Sequence, residues 1–310
     1  MSSSFVEVVY DSFTQDFSIQ AQRSFSYLRE NEALANRLEG IRHFGLTTLF
    51  DGIPSSFDIL RKVGFFPFSE AGIDLEYAIA NVLCGANKSA YFNLRSFLEL
   101  GFTGLYFISQ AATEAEGKKW VAGVAFTPFF NRSLKRLLLL PEYKNAEPNL
   151  SYHQLLRDTY NSISDRTHTR GTPHGHIELN QSNRPQFIEK SLIEFIEMAE
   201  QCCEALAITL AIQHPIVLIP LPMDDKFGLN PPLSGFLQGY DVDCLKSFIS
   251  PQRLHWLEAF AKNDSDTQGL REWVESQPDL TEEQWQEQIR HQEEFLAKMP
   301  RPTQATKDYK

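Results

Sequence analysis

Arg95 and Glu99 stand four residues apart in the apolar run NLRSFLELGFTGLYF, so on a helix they share one face. A guanidinium and a carboxylate are costly to take out of water, and a helix this apolar keeps them only where partners complete the site. The spacing therefore predicts either an internal polar site or an ion pair that tethers neighbouring helices. Tyr160, Ser164 and His168 recur at steps of four in YNSISDRTH, so on a helix they project within about 80° of one another around the axis. They form a second polar ridge: a phenol, a hydroxyl and an imidazole, the side chain best suited to acid–base work near neutral pH. Set against the Arg95 and Glu99 face, this ridge supplies the groups of a general acid–base site. The same groups also suffice to satisfy one another in a hydrogen-bonded interior.

His168, His174 and His176 fall within nine residues, with Glu178 just beyond. Imidazoles and a carboxylate suit zinc, iron or nickel, which makes a metal-dependent hydrolase a third reading. Neither an HExxH motif nor a second His/Asp cluster accompanies them, so we assign no metal and no cofactor. The four cysteines, Cys84, Cys202, Cys203 and Cys244, show no CxxC spacing and are expected to be reduced thiols, mostly buried. A glycine-rich phosphate loop, a GxSxG elbow and a GxGxxG turn are all missing, so hydrolase-fold and nucleotide-fold readings lack their chemistry. Trp256, Trp273 and Trp285 sit where packing or an interface would use them.

These groups must be held by elements that the rest of the chain specifies. With 310 residues, 42% of them hydrophobic and 22% charged, the chain has enough apolar side chains for a large core, which excludes disordered and fibrous classes. A formal charge of −11 repels phosphate backbones at long range and disfavours non-specific nucleic-acid binding, while leaving a local basic cleft compatible with RNA. No apolar run approaches the roughly 18 to 20 residues of a membrane span, and the start MSSSFVEVVYDSF lacks a secretory pattern. We expect a cytoplasmic protein with no membrane partner.

Apolar spacing predicts an opening helix from Phe17 to about Arg42, stopping near Gly45. An aromatic loop with Gly52, Pro54, Gly64 and Pro67 follows, and Ser69 is read as the cap of a helix over 70–86. The next helix, from Lys88 to about Ala115, is apolar nearly all round and belongs at the centre of a bundle. Further helices are expected over 131–140, stopped by Pro141, over 151–170, and over 187–213. Ile216 to Ile219 reads as a short strand beside a boundary at His214 and Pro215. Beyond it, short helices are expected over 241–249, 251–261, 267–276 and 281–298, followed by a frayed end. The reading is all-α, a bundle of about five to seven helices with a smaller C-terminal helical appendage. Its divisions are an N-terminal helix and aromatic loop (1–69), the bundle (70–215) and a C-terminal extension (216–310).

Two stretches, NLRSFLELGFTGLYFISQAATEAEGKKWVAG and YNSISDRTHTRG, resemble bacterial all-helical families grouped with the HEPN superfamily. The matching positions are Leu94, Arg95, Ser96, Leu98 and Glu99, then Leu105, Tyr106, Phe107 and Trp120, and later Tyr160, Ser164, His168, Thr169, Arg170 and Gly171. The resemblance covers about residues 70–215. It implies a homodimer through the bundle, a setting in bacterial defence or toxin-type systems, and metal-independent endoribonuclease activity with RNA as substrate. It further implies an Arg and a following His as the reacting pair, for which Arg170 and His176, with five residues between them, fit the count. In that chemistry the imidazole serves as acid or base for attack of a ribose 2′-hydroxyl, while the guanidinium holds the phosphate. The candidate catalytic residues are therefore Arg95, Glu99, Tyr160, Ser164, His168, Arg170 and His176. The alternative is a non-catalytic dimerisation module with a structural polar core, binding a protein partner through its acidic C-terminal helices.

Overall fold

The computed structural model describes residues 5–54, 56, 61–168, 170, 185–229 and 234–298. Among the described residues the chain is all-helical, with no strand, and forms fourteen helices. α1 is Phe5–Glu30, and α2 is Glu32–His43, prolonged by a π-helical turn, Phe44–Thr48, and by Leu49–Asp51. Then come α3 (Phe66–Leu83), α4 (Asn87–Ile108), α5 (Glu114–Val121), α6 (Phe130–Leu137), α7 (Pro141–Leu150), α8 (Tyr152–Thr167) and α9 (Glu189–Gln213). A 3₁₀ turn, Pro215–Leu218, leads to α10 (Met223–Phe227), α11 (Gly239–Ser247), α12 (Pro251–Asn263), α13 (Ser265–Ser276) and α14 (Glu282–Lys298).

The expected five to seven bundle helices undercount these elements, and the helix expected to reach Ala115 ends at Ile108; several of the discrepancies have a local cause. The opening helix divides at Asn31, whose backbone leaves the helical region (φ −127°) while its side-chain Nδ2 donates to the Tyr27 carbonyl at 2.8 Å. Polar groups of this length compete with the backbone ladder and favour such breaks. Pro141, expected only to stop a helix, also opens α7, since a proline in the first turn gives up an N–H that had no helical partner. Pro67 does the same for α3, which starts at Phe66, so Ser69 lies inside the helix and is not its cap. Ile216 to Ile219 is not a strand. Pro215 sets the first dihedral of a 3₁₀ turn, Val217 N–H donates to the His214 carbonyl at 3.1 Å, and the turn is buried among helices.

α4 is the axis of the fold. Asn87, Ala90, Tyr91, Leu94, Phe97 and Leu98, and every residue from Gly101 to Ile108, are buried, and α3, α6, α8 and α9 pack around it. α9 is similarly enclosed from Ala205 to Ile212. A single continuous apolar cluster includes Leu28 near the start, Phe97 and Leu206 at the centre, and Leu245 and Ala261 in the later helices. α6 is short and sharply two-sided: Phe130, Ser133, Leu134 and Leu137 are buried, whereas Arg132 and Lys135 face solvent. That helix connects the polar site, through Phe130, to a neighbouring hollow lined by Arg132 and Arg136.

Candidate acid–base site on α4 and α8

Leu94, Leu98 and Leu105 fix the rotation of α4 by entering the core, which leaves Arg95 and Glu99 on the side that α8 approaches. Arg95 Nε donates to Glu99 Oε1 at 2.8 Å along the helix. The other guanidinium nitrogens cross to α8: Nη2 donates to the Tyr160 hydroxyl at 2.9 Å, and Nη1 lies 2.5 Å from His168 Nε2 and 3.4 Å from Thr167 Oγ1. Arg95 has no acceptor lone pair, so in this contact His168 Nε2 accepts and its ring proton resides on Nδ1. The two distant segments thus converge on one guanidinium.

Arg95 is 20% exposed and Glu99 36%, so the pair sits at the margin of the core, open to water on one side. Burial acts against the Arg95 charge, but the hydrogen bonds to Glu99 and Tyr160 and the charge of Glu99 outweigh it and raise the guanidinium above its ordinary value. Burial, helped by the Glu99 carboxylate, raises the Tyr160 phenol, with Arg95 acting in the opposite sense. Tyr160 therefore stays protonated at neutral pH. Its ring is held by a parallel stack on Phe130 of α6, with centroids 4.3 Å apart and planes 8° from parallel. Phe130 in turn leans on Phe102 of α4 at 4.5 Å, so α4, α6 and α8 hold the phenol together.

His168 ends α8 and is exposed, its backbone N–H donating to the Ser164 carbonyl at 2.9 Å. Ser164 contributes that carbonyl, which also accepts from Thr167 Oγ1 at 3.0 Å. Its hydroxyl does not join the Arg95 contacts. Arg170 is 78% exposed and pairs with Asp165 at 3.2 Å, and it is not among the groups that meet Arg95. Thr169, Gly171, His174, His176 and Glu178 lie outside the described residues, as does the expected frayed end from residue 299 onward. Thr167 and Phe130 are the two site-forming residues that the sequence reading missed. Thr167 was open to detection, because it stands seven residues after Tyr160 and so on the same face. The stacking role of Phe130 depends on how α6 crosses α8, which no local spacing encodes.

A second polar cluster ties the later helices to α2. His43 Nε2 is 2.7 Å from Asp241 Oδ1, and Thr48 Oγ1 donates to the same oxygen at 3.1 Å. Burial, and after it the Asp241 charge, raise the neighbouring Asp51 carboxyl. The four cysteines are free thiols; Cys202 and Cys203 are fully buried and burial pushes both well above the ordinary thiol value, a state in which they are poor nucleophiles. Among the described residues, no group of three or more His, Cys, Asp or Glu could hold a metal ion, and no helix is long and apolar enough to cross a membrane. Comparisons with protein-family models, with curated proteins and with solved structures give no match. Function must therefore be argued from the chemistry of the site.

Proposed function

We propose that Arg95, Glu99, Tyr160 and His168 form a metal-independent acid–base site that cleaves RNA phosphodiesters. One observation carries this reading: an exposed imidazole presents its Nε2 lone pair to a guanidinium, which places a proton acceptor and a phosphate binder side by side. A bound phosphate takes the guanidinium donors that His168 and Tyr160 now hold, and Glu99 keeps Nε oriented. The released Nε2 then accepts the proton of the adjacent 2′-hydroxyl as that oxygen attacks phosphorus. The P–O5′ bond breaks, a solvent water protonates the leaving 5′-oxygen, and the His168 imidazolium returns its proton to the hydroxide so formed; the products are a 2′,3′-cyclic phosphate and a 5′-hydroxyl, with no net consumption of water. The HEPN-like pattern in NLRSFLE and YNSISDRTH supports the same chemistry, and with it a homodimeric, defence-type or toxin-type role in the cytoplasm.

A second reading, a non-catalytic interaction module, is favoured by the saturation of Arg95: three of its nitrogens already meet acceptors within the chain. The decisive experiment is RNA cleavage by the full chain in the presence of a chelator. Removing the imidazole in His168→Ala is expected to lower the rate by about 10²–10⁴-fold, with an unchanged melting temperature because the residue is exposed. Equal cleavage by both proteins, or none by either, rejects the ribonuclease reading and leaves the interaction module.

A further inference from the structure

The stretch GKKWVAGVAFTPFFNRSLKR covers the end of α5, the connection over 122–129 and most of α6; its basic side chains stand on the two helices, and the connection between them carries Phe126 and Phe129. It is fixed to its own helix. Val124 and Ala125 N–H both donate to the Lys119 carbonyl, at 2.9 and 3.1 Å, and Trp120 Nε1 donates to Thr127 Oγ1 at 3.0 Å. Gly123 makes the turn at φ +69°, a conformation that favours glycine. A connection held this firmly could fold its apolar side chains inward, yet Val124 is 77% exposed, Phe129 83% and Phe126 99%. Exposed aromatic groups on an ordered frame point to a contact outside the folded chain.

Beside them lies a hollow of about 300 Å³. Its accessible apolar walls are the rings of Phe126 and Phe129; Tyr106 and Trp120 form its largely buried floor, and Trp120 is backed by a stack on Phe107 with centroids 5.1 Å apart. Its charged lining is Lys119, Arg132 and Arg136 against the single carboxylate Glu116. Arg136 engages both oxygens of that carboxylate, at 2.9 and 3.3 Å, and lies over the Tyr106 ring 5.3 Å from its centroid. Lys119 and Arg132 make no ion pair among the described residues. The hollow is thus locally cationic on a chain whose formal charge is −11.

A pocket that offers flat apolar rings and two uncommitted cations selects a ligand with a flat ring and an anion. We propose that this hollow is a nucleotide site, with the base stacked against the aromatic wall and the phosphate held by Lys119 and Arg132. Its volume is at the small end of the roughly 300–1,000 Å³ of ligand sites, which suits one nucleotide unit. Base stacking on aromatic rings tolerates every base, and side-chain cations can hold phosphate where no glycine-rich backbone cradle is present. The unit is either a free nucleotide or one residue of a single strand. Arg95, Glu99, Phe102 and Tyr106 follow one another at steps of four, three and four along α4. Phe102 and Tyr106 are buried under α6, so the hollow and the Arg95 site are separate surfaces. The nucleotide site does not depend on the cleavage chemistry proposed above.

The test is calorimetric titration of the full chain at low salt with AMP and with a deoxyadenylate hexamer, which lacks the 2′-hydroxyl and so cannot be cut. Saturable AMP binding is expected, weakened at least about tenfold in Arg132→Glu and in Phe129→Ser. Both positions are exposed, so the variants should fold, with unchanged circular dichroism as the check. His168→Ala should bind AMP as the parent does, which separates failure of this site from failure of the acid–base reading. Tighter binding of the hexamer identifies a strand as the source, and equal affinity a free nucleotide. Absence of saturable AMP binding at millimolar concentration overturns the proposal, as does binding that the two variants leave unchanged. Capture by phosphatidylserine vesicles through Phe126 without AMP binding would also overturn it, and would make the aromatic loop a membrane contact.

Discussion

At the scale of single residues, Arg95 and His214 meet burial in opposite ways. Arg95 keeps its charge because the fork of its guanidinium reaches acceptors on two helices at once, and a lysine in its place would offer one point charge and lose that reach. Among the described residues His214 has no such partner: its Nε2 is buried without a hydrogen bond where α9 ends, and desolvation lowers its pKa from 6.5 to about 4. The sign of its contribution follows. In the unfolded chain the imidazole takes up a proton as pH falls through 6.5, whereas the folded chain resists until pH approaches 4. His214 therefore leaves stability intact above pH 6.5 and removes it progressively between 6.5 and 4, at no more than about 1.4 kcal/mol per pH unit. Urea unfolding at pH 7 and pH 5 measures this. The parent should lose more stability between the two than His214→Asn does, and identical losses would show that the imidazole does not titrate with unfolding.

At the scale of elements, periodicity was enough where a helix has one continuous apolar face, and it failed where the ends depend on other elements. The centrality of α4, the shared face of Arg95 and Glu99, and the shared face of Tyr160 and His168 were legible, because spacing of three and four residues decides which side chains share a face; that the two faces meet depends on how α8 packs on α4, which spacing leaves open. The π turn inside α2 was not. The opening helix was expected to end near Gly45, but a Cβ there would lie 2.2 Å from Leu75 Cδ2, so glycine at this point serves the close passage of α3 and not a helix stop. The α3–α4 turn shows the other use of glycine. Gly85 has φ +75°, its carbonyl accepts from Gln186 N–H at 3.2 Å, and an added Cβ would fall 2.5 Å from the Gln186 backbone carbon. The obstacle at Gly85 is backbone, and no flexible side chain is there to move aside. Gly85→Ala combines a left-handed conformation with a backbone collision and is expected to cost about 1–3 kcal/mol, read as a lower urea midpoint at unchanged slope. An unchanged midpoint would mean that the segment at Gln186 separates from this turn without loss.

At the scale of the whole molecule, the change of composition at His214 and Pro215 marks a boundary in the sequence, yet the contacts across it are those of a shared interior. Phe248 packs on Phe44 with ring centroids 5.3 Å apart, and Val217, Leu245 and Leu257 belong to the same apolar cluster as Ile41 and Leu206. Polar links cross as well: Asp241 is 2.7 Å from His43, while Arg253 donates to Glu204 at 2.9 Å and to the Leu150 carbonyl at 3.0 Å. Separating the two parts would expose apolar side chains on both, at about 25 cal/mol for each square ångström returned to water, and would strand Glu204 and Asp241 without their partners. Neither part then has a reason to persist once the other unfolds. Differential scanning calorimetry of the full chain should accordingly show one transition, with equal calorimetric and van't Hoff enthalpies. Two resolved transitions would mean that the helices after Pro215 hold a core of their own, and that the cluster joining Leu28 to Ala261 is an interface between two folding units.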